Sequence, residues 1–166
     1  MTRTTTAKID TAKAVRRKLR FQTIDELLSE IERLIAAERD GRLQRTGNWT
    51  LGQIFGHLAA WIDFGWDGYP MRVPWIIRFF IKFQVKGYLK NGMPAGVKIP
   101  NSGEGTYGID VLSTDEGAAR LRRALERLKR GEVAKFDSPA FGPLSHDDRI
   151  LLNLRHAELH LGFVGF

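Results

Sequence analysis

The sequence contains no cysteine. This absence excludes a disulfide framework and any thiolate chemistry supplied by the protein itself, and it fits a reducing compartment, so we expect a cytoplasmic protein. The twin-arginine pair Arg16 and Arg17 is not followed by the apolar run of a signal peptide, because acidic residues follow from Asp25 onward. No segment alternates between polar and apolar residues as a half-buried strand does. The 166 residues therefore predict one all-α domain with its own core.

Acidic residues are scarce at the start of the chain. Residues 1–20 contain seven arginines and lysines and a single acid, Asp10, so this segment carries +6 of the net charge of +7. Basic runs of this kind are usually solvated tails, and we expect a flexible N-terminal arm over residues 1–20 and a single domain over residues 21–166. No aromatic residue that could stack on a base precedes Phe21. We therefore expect no nucleic acid among the partners.

Four stretches with helical periodicity follow recognisable N-cap residues. Thr23–Glu26 and Thr50–Gln53 fit capping boxes, in which two side chains satisfy free backbone amides at the helix start. They predict helices from residue 24 to about 39 and from residue 51 to about 66. Ser113 and Ser145 predict two later helices, which end near residues 130 and 163.

A further helix is expected from Trp75 to Lys90, with an unusual distribution of charge. Arg78, Lys82, Lys86 and Lys90 recur every four residues without an acid, and large apolar side chains cover most of the remaining surface. Each Arg or Lys at the centre of a bilayer costs about 3 kcal/mol, so this helix is too charged for a transmembrane segment. We interpret it as a core helix with a cationic edge. A dimer or partner surface and a helix lying on a membrane surface remain alternatives.

The last helix carries a narrow polar row between two apolar flanks, at about 100° per residue. The row consists of Arg149, Asn153, His156 and His160. A polar row with apolar residues on both sides is expected to line an interior cavity, where each group needs a partner. The opposite side of the helix, which includes Arg155 and Glu158, is expected to face solvent.

Three histidines are predicted to point inward from two helices. His156 and His160 lie one turn apart, and His57 lies at the edge of the apolar arc of the second helix. An i, i+4 pair can chelate one ion, and a third imidazole from a facing helix completes a set that suits Zn, Ni or Fe better than Mg or Ca. The alternative is that these histidines only form hydrogen bonds. Glu158 lies too far along to make a zincin motif, and His146 is expected on the surface.

The residues around the histidines resemble the DinB-like (DinB/YfiT) superfamily of metalloenzymes. The resemblance rests on Asn48–Gln53 leading into Gly56-His57-Leu58, on His156-x-x-x-His160, and on the turn Phe141–Ser145, which is similar to a little-characterised branch of unknown function. It covers about residues 20–163. It implies a four-helix bundle, often dimeric, here with an additional helix and a long loop. It also implies that a divalent metal is held by His57, His156 and His160.

The resemblance further implies a class of chemistry. Better-characterised members are thiol-dependent: transferases that use bacillithiol or mycothiol, and a mycothiol-dependent isomerase. In such enzymes the metal holds the thiol of the cofactor as a thiolate, because coordination deprotonates it. The implied function is a small-thiol-dependent transferase or a metal-activated hydrolase. Its cofactors would be a divalent transition metal (Zn, Ni or Fe) and an exogenous low-molecular-weight thiol.

Further residues are candidates for the surroundings of the metal or for a pocket that binds a small-molecule substrate. They are Gln53, Trp61, Arg149 and Asn153. The glycine- and proline-rich connection Asn91–Ser113 is expected to cover the site partly, and the apolar excess of Trp75–Val85 predicts a homodimer. The alternative function is a non-catalytic helical-bundle module that binds an apolar ligand or partner, in which the histidines are structural.

Overall fold

The protein is mostly helical in the computed structural model, which describes residues 8–99, 102 and 105–166. Its α-helices are α1 (Ile24–Arg39), α2 (Leu51–Asp67), α3 (Trp75–Ile81), α4 (Val85–Asn91), α5 (Thr114–Lys129) and α6 (His146–Leu161). A 3₁₀ turn, Lys82–Gln84, joins α3 to α4. Two-residue strands, β1 (Gln44–Arg45) and β2 (Val164–Gly165), pair antiparallel. The all-α prediction is confirmed, and strands this short are below the length at which alternation is visible in a sequence.

The helices begin at the residues that the capping signals indicate. The Thr50 and Ser113 boxes are complete, because each N-cap side chain accepts from the third helical residue and that residue's side chain accepts from the N-cap backbone. Thr23 and Ser145 also accept a bond from the backbone amide three residues on. The box predicted at Thr23 is incomplete, because the Glu26 carboxylate accepts from the backbone amide of Gln22 instead of that of Thr23. Each cap satisfies amides that would otherwise lack a partner, which fixes the start of the helix.

Helices α1, α2, α5 and α6 enclose one hydrophobic core. Glycines bring α2 and the start of α5 into backbone contact: a Cβ atom on Gly52 would lie 2.3 Å from the carbonyl oxygen of Leu112, and one on Gly117 would lie 2.5 Å from the carbonyl oxygen of Gly52. Only glycine allows so close an approach. The small-residue side of α2 therefore sets how α5 packs against it.

The segment predicted as one core helix from Trp75 to Lys90 is divided and largely exposed. None of the residues in α3 or the 3₁₀ turn is buried, and Trp75 is 76% exposed. The prediction of a core helix is wrong, because four other helices already fill the core and only Leu89 of this segment is buried. Neither this segment nor any other helix in the described ranges is long and apolar enough to cross a membrane.

The side of α6 predicted to face solvent is covered. Arg155 is 1% exposed and Glu158 is 8% exposed. The Arg155 guanidinium donates to the carbonyl oxygen of Leu89 (3.0 Å) and pairs with Glu158, whose carboxylate accepts from the backbone amide of Phe21 (2.6 Å). The solvent assignment was wrong because α4 and the chain before α1 pack over this face, and a helical wheel does not show which neighbours cover a charged side.

The described part of the basic segment, residues 8–20, lies against the helical body. The backbone amide of Arg17 donates to the carbonyl oxygen of Gly162 (2.8 Å), and its guanidinium pairs with the buried carboxylate of Glu30 (2.7 Å). Arg20 donates to the carbonyl oxygen of Lys90 (2.9 Å). Residues 1–7 of the expected flexible arm lie outside the described residues, and the boundary at residue 20 stays a prediction.

Candidate metal centre

Helices α2 and α6 bring together the three histidines that the sequence predicts to point inward. The Nε2 atoms of His57 and His156 are 3.1 Å apart. The ring centroid of His160 lies 4.5 Å from that of His57 and 4.7 Å from that of His156. One nitrogen of each ring lies within 4.8 Å of the other two, and within the described ranges this is the one group of three side chains with metal-ligand atoms so close.

The spacing of the nitrogens fits a shared ion. Imidazole nitrogens that bind one metal at 2.0–2.1 Å lie roughly 3–3.4 Å apart for octahedral to tetrahedral angles. The 3.1 Å between His57 and His156 falls in this range, and the candidate nitrogen of His160 lies within 4.8 Å of both. His57 is buried, whereas His156 and His160 are half-buried, so one side of the cluster stays accessible.

A single backbone carbonyl orients the ring of His57. The carbonyl oxygen of Tyr107 lies 2.9 Å from Nδ1 of His57 and accepts from Nε1 of Trp61 at 3.2 Å. A carbonyl oxygen can only accept, so Nδ1 of His57 carries the proton and Nε2 presents its lone pair to the other imidazoles. Histidines that bind metals commonly use their second nitrogen in this way, which fixes the ring and raises its basicity.

The loop that supplies this carbonyl can approach α2 because of a glycine. Gly108 has φ +72°, in the left-handed region, and a Cβ atom there would lie 2.7 Å from the Cβ of Ala60 on α2. A larger residue would hold the loop away from the helix. This part of the connection predicted to cover the site therefore packs directly beside His57.

All three imidazoles are held neutral at physiological pH. Burial lowers the pKa of His57 from 6.5 to about 4, against an opposing contribution from its hydrogen bond to Tyr107. Burial also lowers the pKa values of His156 and His160 well below 6.5, and repulsion from the neighbouring imidazoles adds to this effect. Because only neutral imidazole coordinates a metal, the cluster is in the competent form at neutral pH.

Two tryptophan side chains pack against the histidine cluster. The Trp49 ring stacks on His160 at 5.1 Å between centroids and 13° between planes, and it lies 4.9 Å from the His57 ring. The Trp61 ring lies 5.7 Å from that of His156. Trp61 was among the sequence candidates, whereas Trp49 was not. Trp49 directly precedes the N-cap of α2, and an apolar residue at that position often packs against its helix, so the sequence did contain a signal for it. Tyr107 contributes only its backbone carbonyl, which no sequence pattern indicates.

The other sequence candidates form hydrogen bonds with backbone groups. The Gln53 side chain accepts from the backbone amide of the α2 N-cap residue (3.0 Å), and Asn153 donates to the carbonyl oxygen of Arg149 (2.9 Å) within α6. Arg149 is buried two turns before His156, about 10 Å along the helix axis. Its guanidinium donates to the carbonyl oxygen of Phe136 (3.3 Å). Of these four residues, Trp61 packs its ring against those of His57 and His156, and a role beside the cluster for the other three stays a prediction.

Two residues near the histidines in sequence lie apart from them in space. His146 is exposed at the first position of α6, as the sequence predicts. Glu158 lies between His156 and His160 in sequence, but its carboxylate is directed to Arg155 and to the backbone of Phe21. It therefore offers no carboxylate to the imidazole cluster.

The model of a family described as "Protein of unknown function (DUF1569)" matches residues 13–165. The chain belongs to this family. The matched range contains His57, His156, His160 and the six described α-helices. No curated protein and no solved structure matches the chain. Membership of DUF1569 assigns no activity, and none of these comparisons links the chain to the DinB-like superfamily.

Proposed function

We propose that His57, His156 and His160 bind one divalent transition metal and that this DUF1569 protein is a metal-dependent enzyme. The observation that carries the proposal is the convergence of three neutral imidazoles, one from α2 and two from α6. Hydrogen bonding within the described residues joins His57 to His156 but not to His160, whereas one ion would account for the convergence of all three rings.

The donor set favours Zn, Ni or Fe. Three imidazole nitrogens satisfy part of the coordination shell of such an ion and leave positions for other ligands, as in catalytic rather than structural sites. When bound, the ion would supply Lewis acidity that lowers the pKa of a coordinated water or thiol. The Tyr107 carbonyl holds the His57 ring in place, while Trp49 and Trp61 keep bulk water from two sides and offer apolar surface to a substrate.

The reaction class that we propose is a small-thiol-dependent transferase or a metal-activated hydrolase of the DinB-like superfamily. The arrangement of α1, α2, α5 and α6 around one core supports the relationship. The chain has no cysteine, so a reacting thiol would come from a low-molecular-weight cofactor. The homodimer and the cytoplasmic location expected from the sequence stay predictions. Sedimentation velocity tests the first, and only monomer at micromolar concentration would contradict it.

Metal content of the untagged protein tests the proposal. Elemental analysis after dialysis should give one transition metal per chain, and His156→Ala or His160→Ala should abolish it. His146→Ala is the matched control, because His146 is exposed on the same helix outside the cluster, and it should leave the content unchanged. Absence of stoichiometric metal after incubation with Zn, Ni and Fe(II) would refute the metal site.

The thiol needs a separate readout. Cobalt bound at the site should show ligand-field bands, and a small thiol should add an intense sulfur-to-metal charge-transfer band if it enters an open position. Metal binding without that band would support the metal site but exclude a thiol-dependent reaction. A non-catalytic module that binds an apolar ligand or partner is the second candidate, and the exposed aromatic residues of α3 favour it. It predicts no stoichiometric metal.

A further inference from the structure

The segment from α3 to α4 presents an apolar face that no described part of the chain covers. Its residues fall within about 140° of arc at about 100° per residue. This face consists of Trp75 (76% exposed), Ile76 (54%), Phe79 (49%), Phe80 (66%) and Phe83 (66%). Soluble monomers rarely leave so many large apolar side chains exposed together, so a contiguous face of this kind marks a contact surface. We call it the aromatic face.

The chain around the aromatic face carries positive charge without any acid. Residues 68–99 contain no acid and six cations, Arg72, Arg78, Lys82, Lys86, Lys90 and Lys98. All six are exposed, and within the described residues none forms a salt bridge. The ammonium of Lys82 lies 4.7 Å from the ring centre of Phe79 and 5.0 Å from that of Phe83. Cations and aromatic rings therefore share one surface instead of occupying opposite sides.

We propose that the aromatic face binds the surface of a bilayer containing anionic phospholipid. A helix with exposed Trp, Phe and Ile next to unpaired Lys and Arg lies in the interface, where its apolar side chains enter the acyl boundary and its cations meet the headgroup phosphates. Neither the aromatic face nor its cations include a residue of the histidine cluster. The proposal thus stands independently of the metal site.

The anchoring of the segment suits such contact. Leu89 of α4 is buried, and its carbonyl oxygen accepts from the buried guanidinium of Arg155 on α6. The far end of the segment, α3, has no buried residue. The segment is therefore attached to the helical body at α4 and, near α3, through the Arg78 guanidinium beside Gly142. Because no α3 side chain is buried, the aromatic face can enter the interface without any loss of core packing.

The charge pattern favours anionic lipid over two other occupants. A second copy of this chain, placed face to face, would bring two segments together that carry six cations each and no acid to neutralise them. A nucleic acid would satisfy the cations and could stack on Phe80 or Phe83. It would leave Ile76 without a partner, because aliphatic side chains have no equivalent of base stacking.

Co-sedimentation of the full-length protein with vesicles tests the proposal. We expect binding to phosphatidylcholine vesicles that contain about 30 mol% phosphatidylserine and at least tenfold weaker binding to pure phosphatidylcholine. Binding should fall several-fold between about 50 and about 500 mM NaCl, because salt screens the cations. On binding, the fluorescence of Trp75 should shift to shorter wavelength, and Trp75→Phe should remove most of that shift.

Matched variants separate the aromatic face from bulk positive charge. Phe80→Ser with Phe83→Ser should weaken binding at least tenfold, and Lys82→Glu should weaken it several-fold. Val133→Ser and Lys135→Glu change similarly exposed residues elsewhere, and both should stay within about twofold of the wild type, as expected for surface positions. Circular dichroism should show that all variants are folded.

Several results would overturn the proposal. One is no binding to the anionic vesicles at low salt. Another is binding that the Phe80 and Phe83 changes leave intact, which would assign it to the basic residues near the N-terminus. If sedimentation velocity shows a dimer that the same substitutions dissociate, the aromatic face binds a second copy of this chain instead of a membrane. Nucleic-acid binding lost in these variants without vesicle binding would assign it to nucleic acid.

Discussion

Replacing Glu158 with alanine should destabilise the protein strongly, although the residue lies on a charged stretch of α6 that the sequence placed in solvent. Glu158 is 8% exposed and its partner Arg155 is 1% exposed. The substitution removes the carboxylate that accepts from the backbone amide of Phe21 and from the Arg155 guanidinium. It leaves a buried cation whose remaining partners are two carbonyl oxygens, those of Leu89 and Phe21.

The magnitude follows from leaving one member of a buried pair without its counter-charge. Breaking such a pair costs about 3–5 kcal/mol, whereas removing a solvent-exposed charge usually changes stability by less than about 0.5 kcal/mol. Typical domains are stable by about 5–15 kcal/mol. Glu158→Ala should therefore remove a large part of the total, and Glu158→Gln, which keeps an acceptor for the Phe21 amide, should remove less.

Urea unfolding followed by circular dichroism at constant pH measures these changes. Glu126→Ala is the matched control, because Glu126 is exposed on α5, and its midpoint should stay close to that of the wild type. A loss of less than about 1 kcal/mol for Glu158→Ala would contradict the prediction, since it would mean that water reaches the Arg155 guanidinium.

Three further predictions concern backbone contact, protonation and the basic segment. Gly52→Ala should destabilise the protein by about 1–3 kcal/mol, because the added Cβ would lie 2.3 Å from the carbonyl oxygen of Leu112, which precedes α5. At the control position Gly87 an added Cβ meets nothing within 4 Å, so Gly87→Ala should stabilise the protein by about 0.5–1 kcal/mol. Equal effects of the two substitutions would contradict this prediction. Metal-free protein should lose stability as pH falls from 6.5 to 4, because burial lowers the pKa of His57 to about 4 and those of His156 and His160 well below 6.5, so the native state binds fewer protons than the unfolded state. His57 alone accounts for about 3 kcal/mol of this loss, so His57→Phe should make that part of the stability curve less steep, and an unchanged slope would contradict the assignment. Arg17→Ala should cost about 2 kcal/mol in urea unfolding, because it removes a bond to a buried carboxylate, whereas an effect as small as that of Lys18→Ala would mean that the segment is not anchored.

Local signals predicted the helices and the inward position of the histidines. Thr50, Ser113 and Ser145 mark helix starts because a cap is satisfied within three residues of the chain. The i, i+4 spacing of His156 and His160 places them on one side of any helix. These features depend on neighbours in sequence, so the sequence contains the information.

Features that depend on distant chain segments could not be predicted in the same way. Arg155 is covered by residues more than sixty positions away in sequence, and the Tyr107 carbonyl that orients His57 has no side-chain signature. Trp75 has a large apolar side chain of the kind usually found in a core, but it lies outside the core. A helical wheel gives the direction of a side chain, and tertiary packing decides whether another element meets it.

Crystals grown with zinc and measured at the zinc absorption edge show whether the three histidines bind a metal. We expect one anomalous peak per chain, about 2.0–2.1 Å from a ring nitrogen of His57, His156 and His160, with at least one further position open. An empty cluster whose rings are turned away from a common point would contradict it. So would an ordered ion bound through His146 instead.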